Sequence, residues 1–157
     1  MLVVAETGPL ISLIQLQQLE LLHKLYPDFV LPQEVFDELI GYAPMRDFTE
    51  QTNSLLKHVR KVTDEIVRHE DLDEGEDACI ALYYQTKADA LLIEDKDARN
   101  FAETKGIVCF GSIAVFLKAK EAGYIQAIKP FLLQMKFFKR FISQELFNKT
   151  LRDAGEI

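Results

Sequence analysis

The sequence predicts an α/β fold of three layers, α/β/α, with helices on both faces of a mainly parallel central sheet. Three observations predict it. Short apolar runs of strand length recur at residues 2–5, 29–31, 90–93 and 107–110. Between them lie segments whose apolar residues recur three and four apart, the helical spacing. Strands and helices alternate with no repeat, linker or low-complexity stretch, and that pattern implies parallel strands with helices covering them. A length of 157 residues suggests one domain over 1–157, long enough to bury a core.

The first strand, LVVA, runs into Glu6, Thr7, Gly8 and Pro9. Leu10, Leu13, Ile14, Leu16, Leu19, Leu22 and Leu25 then keep helical spacing. The Tyr26-Pro27 step ends that helix, because a residue before proline is pushed out of the α region. FVL at 29–31 is a second strand. Pro32 suits the first turn of a helix over 33–40, closed by Gly41. Residues 42–60 are polar, with Phe48, Leu55, Leu56 and Val59 at positions that make a helix plausible. Residues 62–67 fit a weak strand or a helical turn equally well. DEGED at 73–77 leads into a compact helix over 78–85. A strand at 90–93, a helix over 98–105 and Gly106 as its C-terminal residue follow. After the strand at 107–110, Gly111 and Ser112 open a helix to about residue 122, closed by Gly123. Two last helices lie near 127–136 and 143–154, the second capped by Ser143.

Composition excludes several classes. Hydrophobic residues make up 48%, so the chain is neither disordered nor a membrane protein. Its longest apolar runs fall far short of the roughly 20 residues of a membrane span. Met1 leads straight into a strand, with no basic start or cleavage site, so a cytoplasmic protein without a signal peptide is expected. Cys79 and Cys109 sit in apolar surroundings with no metal-binding spacing, as buried thiols of a cytosolic protein do. The net charge of −7 argues against a general nucleic-acid coat. Charge is uneven, however. Residues 64–77 hold eight acids against Arg68. Residues 116–140 hold Lys118, Lys120, Lys129, Lys136, Lys139 and Arg140 against Glu121. That second stretch reads either as a solvated helix face or as a phosphate-contacting flank.

Acids stand where chemistry is placed in such a fold. Residues 91–97, LLIEDKD, are a strand that delivers Glu94, Asp95 and Asp97 at its C-terminal end, the edge where open α/β sheets carry their sites. Glu6 follows the first strand in the same way. Glu38, and Glu76 with Asp77, come from helices that reach that edge. Each has an ordinary account: a helix-dipole acid for Glu76 and Asp77, a solvated face for Glu38, a helix cap for Asp95 and Asp97. Convergence favours function. Carboxylates about 4 Å apart repel by roughly 4 kcal/mol at an effective dielectric of about 20. Gathering them requires protons or a cation, and oxygen-only donors select Mg²⁺ or Mn²⁺. No Gly-rich phosphate loop competes, nor does a His, Cys or Ser arrangement; His23, His58 and His69 show no partner pattern.

LVVAETGPLISL at 2–13 resembles the opening of the PIN-domain superfamily, in its small prokaryotic toxin-like branch. Pro32, Val35, Glu38 and Leu39 match that branch's P…V-x-x-E-L motif. Residues 72–76, with Ala78, Ile80 and Leu82, match its Gly-Glu helix opening. LLIEDKDARNFAETKGI at 91–107, and the blocks around 110–120 and 141–156, resemble the rest, so the likeness covers nearly the whole chain. It implies a Mg²⁺- or Mn²⁺-dependent endoribonuclease, often a homodimer and often the toxin paired with a small antitoxin. It further implies that Glu6, Glu38, Glu76 and Asp95 are catalytic and hold metal. Asp77, Glu94 and Asp97 are further metal candidates, and either Glu94 or Asp95 fits as the ligand of the fourth block. Thr7 and Ser112 would support the site, and Lys96, Arg99, Lys118, Lys120, Lys139 and Arg140 would contact RNA. The branch carries aspartate where this chain has Glu6. A displacement of about 1 Å can cost roughly a hundredfold in rate, so weak activity, better with Mn²⁺ than Mg²⁺, is expected. Two alternatives are a Toprim-like nucleic-acid enzyme, built on Glu6 with Asp95-Lys96-Asp97, and a catalytically degenerate PIN-like module that binds a partner.

Overall fold

The computed structural model describes residues 1–138 and 142–157. Three parallel strands form one sheet in the order β1 (Val3–Ala5), β4 (Ala90–Leu92), β5 (Val108–Phe110). Strands β2 (Leu31–Pro32) and β3 (Val59–Arg60) form a second parallel pair. Val30 joins the two sets by bridging to Val4, accepting from the Ala5 N–H and donating to the Val3 carbonyl, both at 2.9 Å. Every residue of β1 and β4 is buried, on both faces. A strand dry on both sides needs a helical layer above and below, which is why these runs are continuously apolar rather than alternating. The expected three-layer architecture is therefore the one observed.

The helices fall where the periodicity puts them, with shifted ends. Helix α1 is Thr7–Gln15, and α2 is Leu19–Leu25. A single helix was expected here. Gln17 takes a left-handed backbone (φ 56°), which breaks it, and leucine spacing alone does not show such a break. Helix α3 is Gln33–Gly41. Between it and β3 the chain makes a 3-10 turn (Ala43–Phe48), helix α4 (Thr49–Ser54) and a second 3-10 turn (Leu56–His58) rather than one helix. Residues 62–67 adopt neither of the two forms expected. Helix α5 is Glu74–Thr86, starting earlier than expected because Asp73 and Glu76 close a capping box. Helices α6 (Lys96–Thr104), α7 (Ser112–Glu121), α8 (Lys129–Phe137) and α9 (Gln144–Asp153) follow.

One hydrophobic cluster joins buried residues from Val3 to Leu151. Helix α5 lies against β1, β2, β4 and α3, while α1 and α2 pack with α7. Cys79 is fully buried beneath β1, but Cys109 is only half-buried, because β5 is an edge strand with Val108 exposed. Since α5 runs antiparallel to the strand it feeds, its first turn sits at the C-terminal edge of the sheet, with the ends of β1 and β4.

Candidate active site

Four chain segments bring acids to that edge. Glu6 follows β1 directly and caps α1, its Oε2 accepting from the Gly8 N–H at 3.1 Å. Thr7 is buried and donates its hydroxyl to Glu38 Oε2 at 2.9 Å, tying α3 to the end of β1. Glu38 in turn lies over the first turn of α5: a Cβ at Gly75 would stand 3.0 Å from its Oε2. A side chain there would press the Glu38 carboxylate away by a few tenths of an ångström. Glu76 is one residue further along α5, buried, and held by the reciprocal bonds of the capping box. Its Oε1 accepts from the Asp73 N–H at 2.9 Å, and its N–H donates to Asp73 Oδ1 at 2.7 Å. Asp95 caps α6 by accepting from the Ala98 N–H at 2.9 Å and stays exposed.

These carboxylates feel one another. Burial, first of all, pushes the Glu6 carboxyl up to about 8, with Glu76, Asp73 and Glu38 adding to the rise. Burial again leads for Glu76, raised to about 7, with Asp73, Asp95 and Glu38 adding. The expected cause was mutual repulsion; desolvation by the surrounding core proves larger. Cys79, beneath the group, is pushed up by burial and then by Glu6, Asp73, Glu76 and Glu38. Near neutral pH, Glu6 is therefore mostly protonated and Glu76 shared between its two forms.

Asp73 belongs to this electrostatic set and was not among the residues singled out from the sequence. The Asp-x-x-Glu spacing of Asp73 and Glu76 is a capping-box signature and could have pointed to it.

Other candidates face elsewhere. Asp77, fully buried, accepts from Arg68 Nη1 at 2.7 Å and from His69 Nδ1 at 2.8 Å. It anchors the segment before α5, and His69 thus has the acidic partner that the sequence pattern did not show. Asp97 lines a separate cleft with Arg68 and His69. Glu94 turns toward α7, accepting from the Ser112 N–H at 3.0 Å and from the buried Ser112 hydroxyl. Lys96 is exposed beside Asp95. Arg99 donates to the Cys109 carbonyl and to Glu103. Lys118 pairs loosely with Glu121. Lys120 is bonded to the Ala154 carbonyl and to Glu156, clasping the C-terminal segment. Lys139 and Arg140 lie outside the described residues.

Does this donor set fit a divalent cation? Its chemistry does: five carboxylates, no nitrogen or sulfur, with space kept open at Gly75. Among the described residues no three His, Cys, Asp or Glu side chains stand close enough to hold an ion between them. Mg²⁺ commonly keeps several waters and takes only one or two carboxylates directly. The set fits an ion held in that way.

A family model described as "DUF3368: PIN domain" matches residues 2–156. Among solved structures, the chain is similar to a PilT N-terminus domain protein from the hyperthermophilic archaeon Sulfolobus solfataricus. The two share 22% identity, with a TM-score of 0.54, over 76% of this chain and 93% of that one. That likeness speaks for the fold. No curated protein matches the chain. No helix among the described residues is long and apolar enough to cross a membrane.

Proposed function

The chain belongs to the PIN-domain family, and from that premise we propose that it is a divalent-cation-dependent endoribonuclease whose site is Glu6, Glu38, Glu76 and Asp95, with Asp73 beside them. The observation that carries this reading is the pair of buried carboxyls, Glu6 and Glu76, held above the usual carboxylate range in one group with three other acids. A fold keeps such a costly arrangement when the charges have a task. Family membership also favours this reading over the Toprim-like one, which gives Glu38 and Glu76 no role.

In this reading Glu6, Glu38, Glu76 and Asp95 hold Mg²⁺ or Mn²⁺, directly or through water. The bound ion supplies positive charge to offset the charge developing on a scissile phosphate. The chain does the rest. Thr7 fixes Glu38, and the capping box fixes Glu76. With Oε1 occupied by the Asp73 N–H, Glu76 can exchange a proton at Oε2, and a value of about 7 suits an acid–base group at neutral pH. Water adds to phosphorus as its proton passes to Glu76 Oε2, and the P–O bond to the leaving ribose oxygen breaks as that oxygen takes a proton from solvent. Lys96, Arg99 and Lys118 lie on the flanks that RNA would follow; Lys120 is committed to the C-terminal segment and is left out.

The same reading makes the protein a homodimer and the toxin of a toxin–antitoxin pair. Its support is the likeness of residues 2–13, 72–82 and 91–107 to the toxin-like branch. Growth arrest on expression, relieved by the product of a small upstream gene, is the expected result. The degenerate-module reading draws on one observation: the Glu6 carboxylate is already engaged in capping α1. One experiment separates the two. Purified protein should cleave RNA with Mn²⁺ and stop with EDTA or as Asp95→Asn; a parent that cleaves nothing with either ion ends the nuclease reading.

A further inference from the structure

We propose that His69 is a further catalytic residue, its Nε2 giving the leaving ribose oxygen the proton that solvent would otherwise supply. This rests on the ribonuclease reading. His69 lies just before α5 and is held by Asp77 from inside that helix. The Asp77 carboxylate accepts from His69 Nδ1 at 2.8 Å and from the His69 backbone N–H at 3.4 Å. Arg68 Nη1 donates to it as well, at 2.7 Å. These bonds fix the carboxylate, and the carboxylate fixes the ring. The Phe101 ring, its centroid 4.3 Å away, supports one face. An imidazole whose Nδ1 meets a carboxylate presents Nε2 on its opposite side. Asp77 has no exposed surface and the His69 side chain is 25% exposed, so the open part of the ring is that opposite side. Among the described residues no group bonds to Nε2.

The ring lines a cleft of about 570 Å³ between its own segment and α6. Arg68, His69 and Leu72 stand on one side, with Asp97, Asn100 and Phe101 on the other. This cleft adjoins the acidic edge at three points of the chain. Leu72 precedes Asp73, Asp97 is two residues from Asp95, and Asp77 follows Glu76. Consecutive Cα atoms lie only about 3.8 Å apart. A phosphate held at the acids therefore has the cleft beside it.

The groups of the cleft favour a proton donor over a phosphate site. Glu70 and Asp71 line it together with Asp97, and carboxylates repel a phosphate while they attract an imidazolium. The phosphate stays at the acidic edge, and its leaving oxygen faces His69. Arg68 does not give up its proton and Asn100 does not titrate, whereas imidazole exchanges one near neutral pH. In the step, water adds to phosphorus as Glu76 Oε2 takes its proton. The P–O bond to the ribose breaks, the bonding pair stays with oxygen, and the Nε2 proton moves to that oxygen. His69 is left neutral with its hydrogen on Nδ1, the tautomer that the Asp77 bond holds. Solvent then returns the proton to Nε2.

The probe is a short fluorescent oligoribonucleotide in two forms, one natural and one with sulfur in place of the leaving oxygen at the cleaved bond. A thiolate leaves without a proton, so the sulfur strand needs no acid. His69→Gln removes the acid but keeps an amide that can donate to Asp77. With Mn²⁺ it should lower kcat on the natural strand about a hundredfold, with KM little changed. On the sulfur strand it should match the parent. His69→Ala loses the bond to Asp77 too, so it is judged by the ratio of its sulfur rate to its natural rate. A loss of stability lowers both rates alike, and only a lost proton donor raises the ratio. A ratio equal to the parent's in the variants, whether their rates fall together or not at all, overturns the proton donor alone. A parent inactive on every strand overturns the ribonuclease reading and this proposal with it.

Discussion

In the proposed reading Glu6 has two roles, as the cap of α1 and as a member of the site, and its extra methylene serves only one. Its Oε2 reaches the Gly8 N–H, but aspartate is the better helix cap. Glu6→Asp should keep or improve thermal stability and, by drawing the carboxylate back about 1 Å, raise Mn²⁺-dependent cleavage by up to about a hundredfold. A stable Glu6→Asp protein no more active than the parent shows that the longer side chain does not limit the site. Glu6 and Glu76 also set a pH dependence. Both are raised, to about 8 and about 7, above their ordinary 4.5. The folded chain therefore binds more protons than the unfolded one in that window, so these groups cost stability as pH rises through it. In EDTA these two groups should lower the melting temperature as pH rises from about 4.5 to about 8, less so in Glu76→Gln. Buried His58, its pKa lowered by burial, works the other way and loses stability as pH falls below about 6.5. Single residues were legible in the sequence where a strand or motif delivered them, as with Glu6 and Asp95. The destinations of Asp77 and Lys120 were not, because their partners Arg68, His69 and Glu156 come from segments with no periodic signal.

Among the elements, the first turn of α5 does the most. With its cap it carries the capping box, the Gly75 space under Glu38, and the buried Asp77 anchor within five residues, 73–77. Asp73→Ala removes a cap worth about 1 kcal/mol but also one acid from a crowded group. Chemical denaturation in EDTA should show a loss smaller than that, and in Mn²⁺ a larger one. Asp77→Ala leaves His69 and Arg68 without their carboxylate. A loss of about 1–3 kcal/mol is expected, with faster proteolysis in the segment from 61 to 72, while the acids of the site stay in place. Equal proteolysis of parent and variant would show that Asp77 does not anchor that segment. Helices with clean apolar spacing, such as α3, α6 and α9, were legible to within a few residues. Residues 42–60 were not, because short 3-10 turns set by local packing carry no long period.

At the scale of the molecule, the buried strands explain both the fold and its legibility. Continuous apolar runs at β1 and β4 can only be covered on both faces, so the layers followed from the sequence. The pairing order did not, since apolar runs do not say which strands are neighbours. The C-terminal helices leave Phe137 81% exposed and Leu133 49% exposed, while Leu132 is buried and Phe131 and Phe138 half-buried; Phe141 lies outside the described residues. Exposed aromatic surface of this kind suits an interface. Light scattering at micromolar concentration should give the dimer mass, and Phe137→Glu should shift it toward the monomer; a monomeric parent would count against the assembly.

The central claim is that the acids at the sheet edge form a divalent-cation site held partly by protons when no ion is bound. Calorimetric titration of Mn²⁺ near pH 7, repeated in buffers of different ionisation enthalpy, tests it directly. The account predicts binding that releases protons, because Glu6 and Glu76 must give them up. It also predicts that binding weakens at least tenfold in Asp95→Asn and that proton release shrinks in Glu76→Gln. Absence of Mn²⁺ binding, or binding unchanged in both variants with no proton released, would contradict it.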